Sequence, residues 1–149
     1  MKIEQISELP SDFNLLADEA ALQGHNFLLK MWEEWIQGKN QFRLPGEVLF
    51  ALTNDSGQLV GVGGLNVDPY AGDSKIGRVR HVYISKILQR SGFGKMIVQQ
   101  ILKHATGRFD VLRLRTHNVD AVPFYLSLGF ERDSSQNDST HSYFIKKLC

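Results

Sequence analysis

The run Gln89-Arg90-Ser91-Gly92-Phe93-Gly94 has the residue types of a phosphate cradle. It follows an alternating apolar stretch directly and precedes a run with helical spacing. At a helix start the first backbone N–H groups have no acceptor within the helix, and the dipole favours an anion there. Gly92 and Gly94 let a backbone approach phosphate oxygens with no Cβ in between, and Lys86, Arg90 and Lys95 add positive charge. Two nucleotide motifs are excluded. A Walker A loop needs a closing Gly-Lys-Ser/Thr. A dinucleotide fingerprint needs a third glycine and an acid at the end of the following strand, whereas Asp110 precedes that strand. The alternative for these residues alone is a plain helix start with two small side chains. His25, His104, His117 and His141 show no metal-ligand spacing, so no metal is expected. The single cysteine, Cys149, supports neither a disulfide framework nor a catalytic thiol.

The elements that position the cradle can be read from periodicity. Residues 1–6 alternate as an edge strand. Ser11 is placed to cap a helix with Phe13, Leu16, Ala17 and Ala20 on one face, ending near Gly24. A second helix over 27–37 carries Leu28, Met31, Trp32, Trp35 and Ile36 and stops at Gly38. Strands over 48–53 and 59–67 flank the turn Asn54-Asp55-Ser56-Gly57 as a hairpin. A strand over 76–84 leads into the cradle and the helix over 92–105, whose stripe is Phe93, Ile97, Val98, Ile101 and Leu102. Then come a strand over 111–116, a short helix over 121–128 that Asp120 can cap, and a closing pair over 130–133 and 141–148. This order predicts an α/β domain with a mixed sheet.

At 149 residues, with 42% apolar and 22% charged residues, the chain is expected to form one domain over 1–149 with a packed core. No apolar run approaches the ~20 residues of a membrane span and no secretory signal pattern opens the chain, so a cytoplasmic protein without a membrane partner is expected. The net charge of +1 hides an asymmetry. Residues 78–115 hold nine of the seventeen Lys/Arg and one of the sixteen acids, while residues 1–75 hold eleven acids and five Lys/Arg. The basic charges centre on the loop rather than on a stripe with interleaved aromatics, which argues against a nucleic-acid partner.

The string Arg80-His81-Val82-Tyr83-Ile84, the loop Gln89-x-x-Gly92-x-Gly94 with its helix, the strand residues Leu112 to Thr116, then Asn118 and Phe124-Tyr125-x-x-x-Gly129-Phe130 resemble the GCN5-related N-acetyltransferase (GNAT) superfamily. The diagnostic part covers about residues 76–131. The resemblance implies a mixed, mostly antiparallel sheet of about seven strands flanked by about four helices. It implies acetyl transfer from acetyl-CoA to a primary amine of a small molecule or peptide, by direct attack in a ternary complex. Gln89, Arg90, Ser91, Gly92, Phe93, Gly94 and Lys95 then match the pyrophosphate-binding segment. Val82, Tyr83 and Ile84 match the strand segment that meets the pantetheine arm, with an oxyanion-holding N–H near Val82. Asn118 matches a pantetheine contact, and Tyr125 matches the general acid for the departing thiolate.

One departure stands out. Arg78 occupies the position where several members carry a Glu as general base, and a guanidinium cannot take a proton at physiological pH. That motivates the alternative of a non-catalytic acyl-CoA-binding regulatory domain. His81, Tyr83, Asp68, Asp73, Glu33 and Glu34 are the remaining base candidates; His81 reads more readily as a satisfied sheet histidine than as a base. His81 and Tyr83 lie opposite Val82 and Ile84 by strict alternation, unless the strand carries a bulge. Trp32, Trp35, Tyr70 and His81 are the expected acceptor-side residues, with Trp32 and Trp35 also readable as core. The acidic first half suggests a cationic acceptor. Members are often dimers, and nothing in the sequence marks an interface.

Overall fold

The computed structural model describes residues 1–145, so Cys149 and the end of the strand expected over 141–148 lie outside the described residues. The elements are β1 (Lys2–Gln5), α1 (Phe13–Leu22), α2 (Phe27–Ile36), β2 (Val48–Thr53), β3 (Leu59–Val67), β4 (Ile76–Ile84), a 3₁₀ turn (Lys86–Leu88), α3 (Phe93–Ala105), β5 (Val111–Leu114), α4 (Ala121–Ser127), β6 (Glu131–Arg132) and β7 (His141–Phe144). They form one seven-stranded sheet in the order β1-β2-β3-β4-β5-β7-β6. Only β4 and β5 run parallel; the other neighbours are antiparallel. The reason is connectivity. Antiparallel neighbours β2, β3 and β4 follow one another as a meander and α1 and α2 fill the β1–β2 connection, whereas the β4–β5 crossover carries α3, and parallel neighbours need such a crossover. At the β2–β3 turn the Asn54 side-chain oxygen accepts from the N–H groups of Ser56 and Gln58.

Each face of the sheet is covered. α3 packs Ile97, Val98 and Ile101 onto Phe50, Leu52, Leu65 and Leu112 on one face. α1 and α2 pack Phe13, Leu16, Leu28, Met31 and Trp35 onto Leu49, Ala51 and Val62 on the other. β3 holds two adjacent glycines because both helical layers come close to it. A Cβ on Gly63 would overlap Ile97, and one on Gly64 would overlap Phe42.

Three local readings are corrected. Ser11 does not cap α1: the helix follows Asp12, whose carboxylate instead accepts from the Leu59 N–H at 2.9 Å and ties the helix start to β3. Asp120 makes no side-chain cap on α4; the Asn118 side-chain oxygen accepts from the Asp120 N–H at 3.0 Å and orders the chain before that helix. Ile36 is exposed, because α2 turns only Leu28, Met31 and Trp35 fully inward.

Two irregularities in β4 shape the molecule. Val62 pairs with Tyr83 but Gly64 pairs with Arg80, so β4 carries one more residue than β3 across this step. That bulge places His81 at φ +62°. Before it Val79 faces the α3 core, and after it so do Val82 and Ile84. Arg80, His81 and Tyr83 are left on the α1/α2 face. The second irregularity is that β4 pairs with β5 only over Ile76, Gly77 and Arg78. Beyond Arg78 the two strands diverge, and the β5-facing edge of β4 has no strand partner.

Candidate active site

The divergence of β4 and β5 opens a cleft of about 1270 Å³. Its walls are residues 78–84 of β4, the cradle, the segment 114–121 after β5, and Phe124 and Tyr125 of α4; Gln23, His25, Phe27, Tyr70 and Asp138 close the far end. One continuous space therefore joins the basic loop to the residues expected to do chemistry.

The loop leaves backbone donors open at the start of α3. Arg90 and Gly92 both adopt left-handed backbone, at φ +65° and +87°, and turn the chain sharply into α3. No side chain caps α3, and the Met96 N–H reaches back to the Gly92 carbonyl at 3.1 Å. The N–H groups of the first turn before Met96 thus have no partner among the described residues, and Gly92, Gly94 and Lys95 border the cleft. A Cβ on Gly94 would make only ordinary contact with Phe124 and Ile84, at 3.5 and 3.6 Å, so protein packing does not require glycine there. Gln89 faces the cleft, but its amide donates to the Ile84 carbonyl at 2.8 Å and holds the loop on the end of β4. Ser91 and Phe93 do not line the cleft: Ser91 is exposed and Phe93 packs against the α3 core.

Tyr125 projects from α4 with its ring edge-on to Phe124 and Phe130, at centroid distances of 4.9 and 5.5 Å. Its hydroxyl has no hydrogen-bond partner among the described residues. Burial pushes its pKa up, so it remains a donor through the neutral range. Asn118 lies beside it in the cleft wall. With its side-chain oxygen engaged by Asp120, its amide nitrogen is the group left to donate.

Tyr83 sends its side chain away from the cradle. Its hydroxyl donates to Glu19 at 2.7 Å and accepts from Gln23, while Ser85 also donates to Glu19 at 2.7 Å. Burial and the Glu19 carboxylate raise the Tyr83 pKa. This network clamps α1 to the end of β4, so only the Tyr83 backbone is available to a ligand from the β5 side.

Of the acceptor-side expectations, the structure brings Tyr70 and His81 to the cleft and leaves Trp32 and Trp35 outside it. Trp35 is buried in the α1/α2 core, and Trp32 lies on the outer side of the same helix. His81 packs against Phe27 and Phe42, and its Nε2 is buried without a partner, so it is not a satisfied sheet histidine. Burial first, then Arg80 and Lys30, push its pKa down to about 3. Protonating it at pH 7 would cost about 5 kcal/mol at 1.36 kcal/mol per unit, so the ring stays neutral and is not a strong base.

Arg78 does not stand free. Its Nη2 donates to the Asp138 carbonyl at 2.9 Å and pairs with Asp68 Oδ2 at 3.4 Å and Asp138 Oδ1 at 3.5 Å. Tyr70 covers the guanidinium at 4.9 Å. This partly explains why Asp68 is unavailable as a base. Asp73 caps a turn through the Lys75 N–H, and Glu33 and Glu34 lie on α2 away from the cleft. Asp138 was not singled out by the sequence: it sits in a polar seven-residue loop with no motif, over 134–140, and only the return of that loop beside β4 brings it to the site.

The charge reading needs correction as well. None of the eleven acids in residues 1–75 lines the cleft, whereas Arg78, Arg80, Arg90, Lys95 and Arg115 do, against Asp120 and Asp138. Those acids serve other contacts: Asp12 the β3 backbone, Glu19 the β4 clamp, Glu47 the Asn66 side chain and Val67 N–H, and Asp68 the Arg78 pair.

The open loop at a helix start, the splayed parallel strand pair and the bulged β4 meet in one cleft of a mixed α/β domain. Residues 5–130 match the family model of the acetyltransferase (GNAT) family, and the chain belongs to that family. Among solved structures, one from Exiguobacterium sp. 255-15 shares 25% identity at TM-score 0.83, over 96% of this chain and 92% of that one. A GNAT-family acetyltransferase from Staphylococcus aureus Mu50 shares 15% at TM-score 0.73, over 97% and 100%. The GNAT family N-acetyltransferase YhbS from Escherichia coli, solved in complex with CoA, shares 16% at TM-score 0.64, over 96% and 80%.

Proposed function

We propose that this protein moves the acetyl group of acetyl-CoA to a primary amine of a small molecule or peptide, by direct attack in a ternary complex. The observation that carries the reading is a single cleft. It joins unpartnered N–H groups at the α3 start, the unpaired edge of β4, and the free hydroxyl of Tyr125. The donors at the α3 start, with Arg90 and Lys95 beside them, suit a pyrophosphate. The free β4 edge offers backbone groups to an extended amide-bearing arm in the manner of an added strand. The CoA bound by the E. coli relative supports the same choice of donor.

In the reaction the amine nitrogen bonds to the acetyl carbon, the carbon–sulfur bond breaks, the nitrogen loses a proton and the sulfur gains one. In this reading a β4 backbone N–H near Val82 holds the oxyanion. The Tyr125 hydroxyl donates to the departing sulfur. A thiol's pKa of roughly 8.5 lies below tyrosine's ordinary 10, and burial widens that gap. Tyr125 therefore acts mainly by hydrogen bonding to developing thiolate charge. At the acceptor end, the neutral His81 ring borders the cleft beside the amine, and the proton leaves through solvent or Asp138.

The test is acetyl-CoA turnover across an amine library of amino acids, polyamines, aminoglycosides, peptide N-termini and lysine peptides. Thiol release is read together with the mass of the acetylated product. Product formed one-for-one with CoA is expected; thiol release without acetylated product refutes the reading. Tight acetyl-CoA binding with no product from any amine would fit an acyl-CoA-binding regulatory domain, which the arginine at position 78 favours.

A further inference from the structure

Arg80 is a cation in the cleft that has no counter-charge among the described residues. It stands on β4 opposite Gly64, on the sheet face covered by α1 and α2. Among the described residues no carboxylate or carbonyl pairs with it, although it is half-buried and borders the cleft. Arg78, two residues back on the same strand face, shows the contrast: it is paired to Asp68 and Asp138 and covered by Tyr70. The cradle phosphates cannot serve Arg80, because the cradle belongs to α3, which packs on the other face of the sheet. The bulge at His81 keeps Arg80 and His81 together on the acceptor face; strict alternation would have put them on opposite faces. The flanking positive charge is reinforced by Lys30, which together with Arg80 acts on His81. A half-buried guanidinium that faces the cleft with no ion-pair partner among the described residues is a site for a planar anion.

We propose that the acceptor amine also carries a carboxylate, and that Arg80 binds this carboxylate while the amine lies beside His81. This rests on the acetyltransferase reading and narrows its substrate to amino-acid-like zwitterions. Asp138, the one acid at that end of the cleft, complements the ammonium form on arrival. Cationic polyamines, by the same geometry, are poor acceptors.

The experiment compares each of a panel of amino acids with its amide, its methyl ester and the matching decarboxylated amine, using the wild-type protein, Arg80→Gln and Arg80→Lys. Thermal unfolding checks that each variant is folded. For wild type, kcat/KM should favour the free acid over the ester by about 10- to 100-fold, the range of one charge-assisted pair, mainly through KM. Arg80→Gln should bring that ratio to within about threefold, and Arg80→Lys should restore part of it, since an ammonium keeps the charge but loses the bidentate fork. A wild-type preference for esters or decarboxylated amines, or a preference that Arg80→Gln leaves intact, overturns the proposal. Calorimetric binding of N-acetylated amino acids to the CoA-loaded protein separates the two levels. Arg80-dependent binding without turnover of any amine sustains the carboxylate site and sinks the enzymatic reading. Turnover restricted to amines lacking a carboxylate does the reverse. Absence of both product and Arg80-dependent binding overturns both.

Discussion

Replacing Tyr125 by Phe removes one oxygen and leaves the ring. The edge-on contacts to Phe124 and Phe130, at 4.9 and 5.5 Å, do not involve that oxygen. Nor does any group among the described residues bond to it, so no hydrogen bond seen in the fold is lost and stability should change by less than about 1 kcal/mol. The loss falls on the reaction. A hydrogen bond from a neutral donor to a developing thiolate is charge-assisted and worth about 1.5–3 kcal/mol. At 1.36 kcal/mol per decade that is about 10- to 150-fold in kcat. Burial of the ring holds the pKa above its ordinary value, so the wild-type hydroxyl stays protonated and kcat should show no loss from tyrosine ionisation up to pH ~10. The assay is steady-state thiol release with the best amine, alongside calorimetric CoA binding and thermal unfolding. The expected pattern is a lower kcat, CoA affinity within a factor of a few, and an unchanged melting temperature. Unchanged kcat would remove Tyr125 from the mechanism. A large drop in melting temperature would show that its hydroxyl has a structural partner instead.

Two further predictions concern the acceptor end. Arg78→Glu restores the carboxylate that several family members carry, but here it faces Asp68 and Asp138. Breaking a buried pair costs about 3–5 kcal/mol, so urea unfolding should show a severely destabilised protein, and a stable, faster variant would show that position 78 can still host the base. His81 is held neutral, with its pKa near 3 against an ordinary 6.5. The unfolded chain therefore binds a proton that the folded one refuses, so His81's contribution is fully present above pH 6.5 and is lost as pH falls toward 3. At pH 5 the loss is about 2 kcal/mol, from roughly 1.5 units at 1.36 kcal/mol each. Stability measured from pH 7 to 5 should fall more steeply in wild type than in His81→Gln, and equal slopes would show that His81 is not buried neutral.

Much of this architecture was legible before any coordinates, because its signals are local. The β2–β3 hairpin follows from apolar runs around Asn54 and Gly57, and the α3 boundaries follow from a stripe at helical spacing with glycines at its start. The Gln89 to Gly94 loop could be recognised because a helix start that holds an anion must leave N–H groups and Cβ positions empty. Those are requirements on residue type at fixed spacing. Helix caps were less legible: Asp12 and Asn118 are spent on partners their neighbourhood does not announce, one of them 47 residues away.

What only the tertiary structure decided is where charge and polarity end up. The total of acids in the first half was plain from the sequence, but not that Asp12, Glu19 and Asp68 would be taken up by a backbone N–H, a tyrosine and an arginine from other elements. Trp32 and Trp35 share a helix with apolar spacing, yet which of them faces the core and whether either reaches the cleft depends on how α2 lies across the sheet. Asp138 enters the site only because β6 and β7 return their loop beside β4. A bulge of one residue at His81, which no composition encodes, sets which β4 side chains face α3 and which face α1 and α2. The sequence alone thus pointed to the family, through the loop taken together with Asn118 and the Phe124 to Phe130 string. The tertiary structure decided the electrostatics of the acceptor end, because charge pairing is a long-range property of the packed chain.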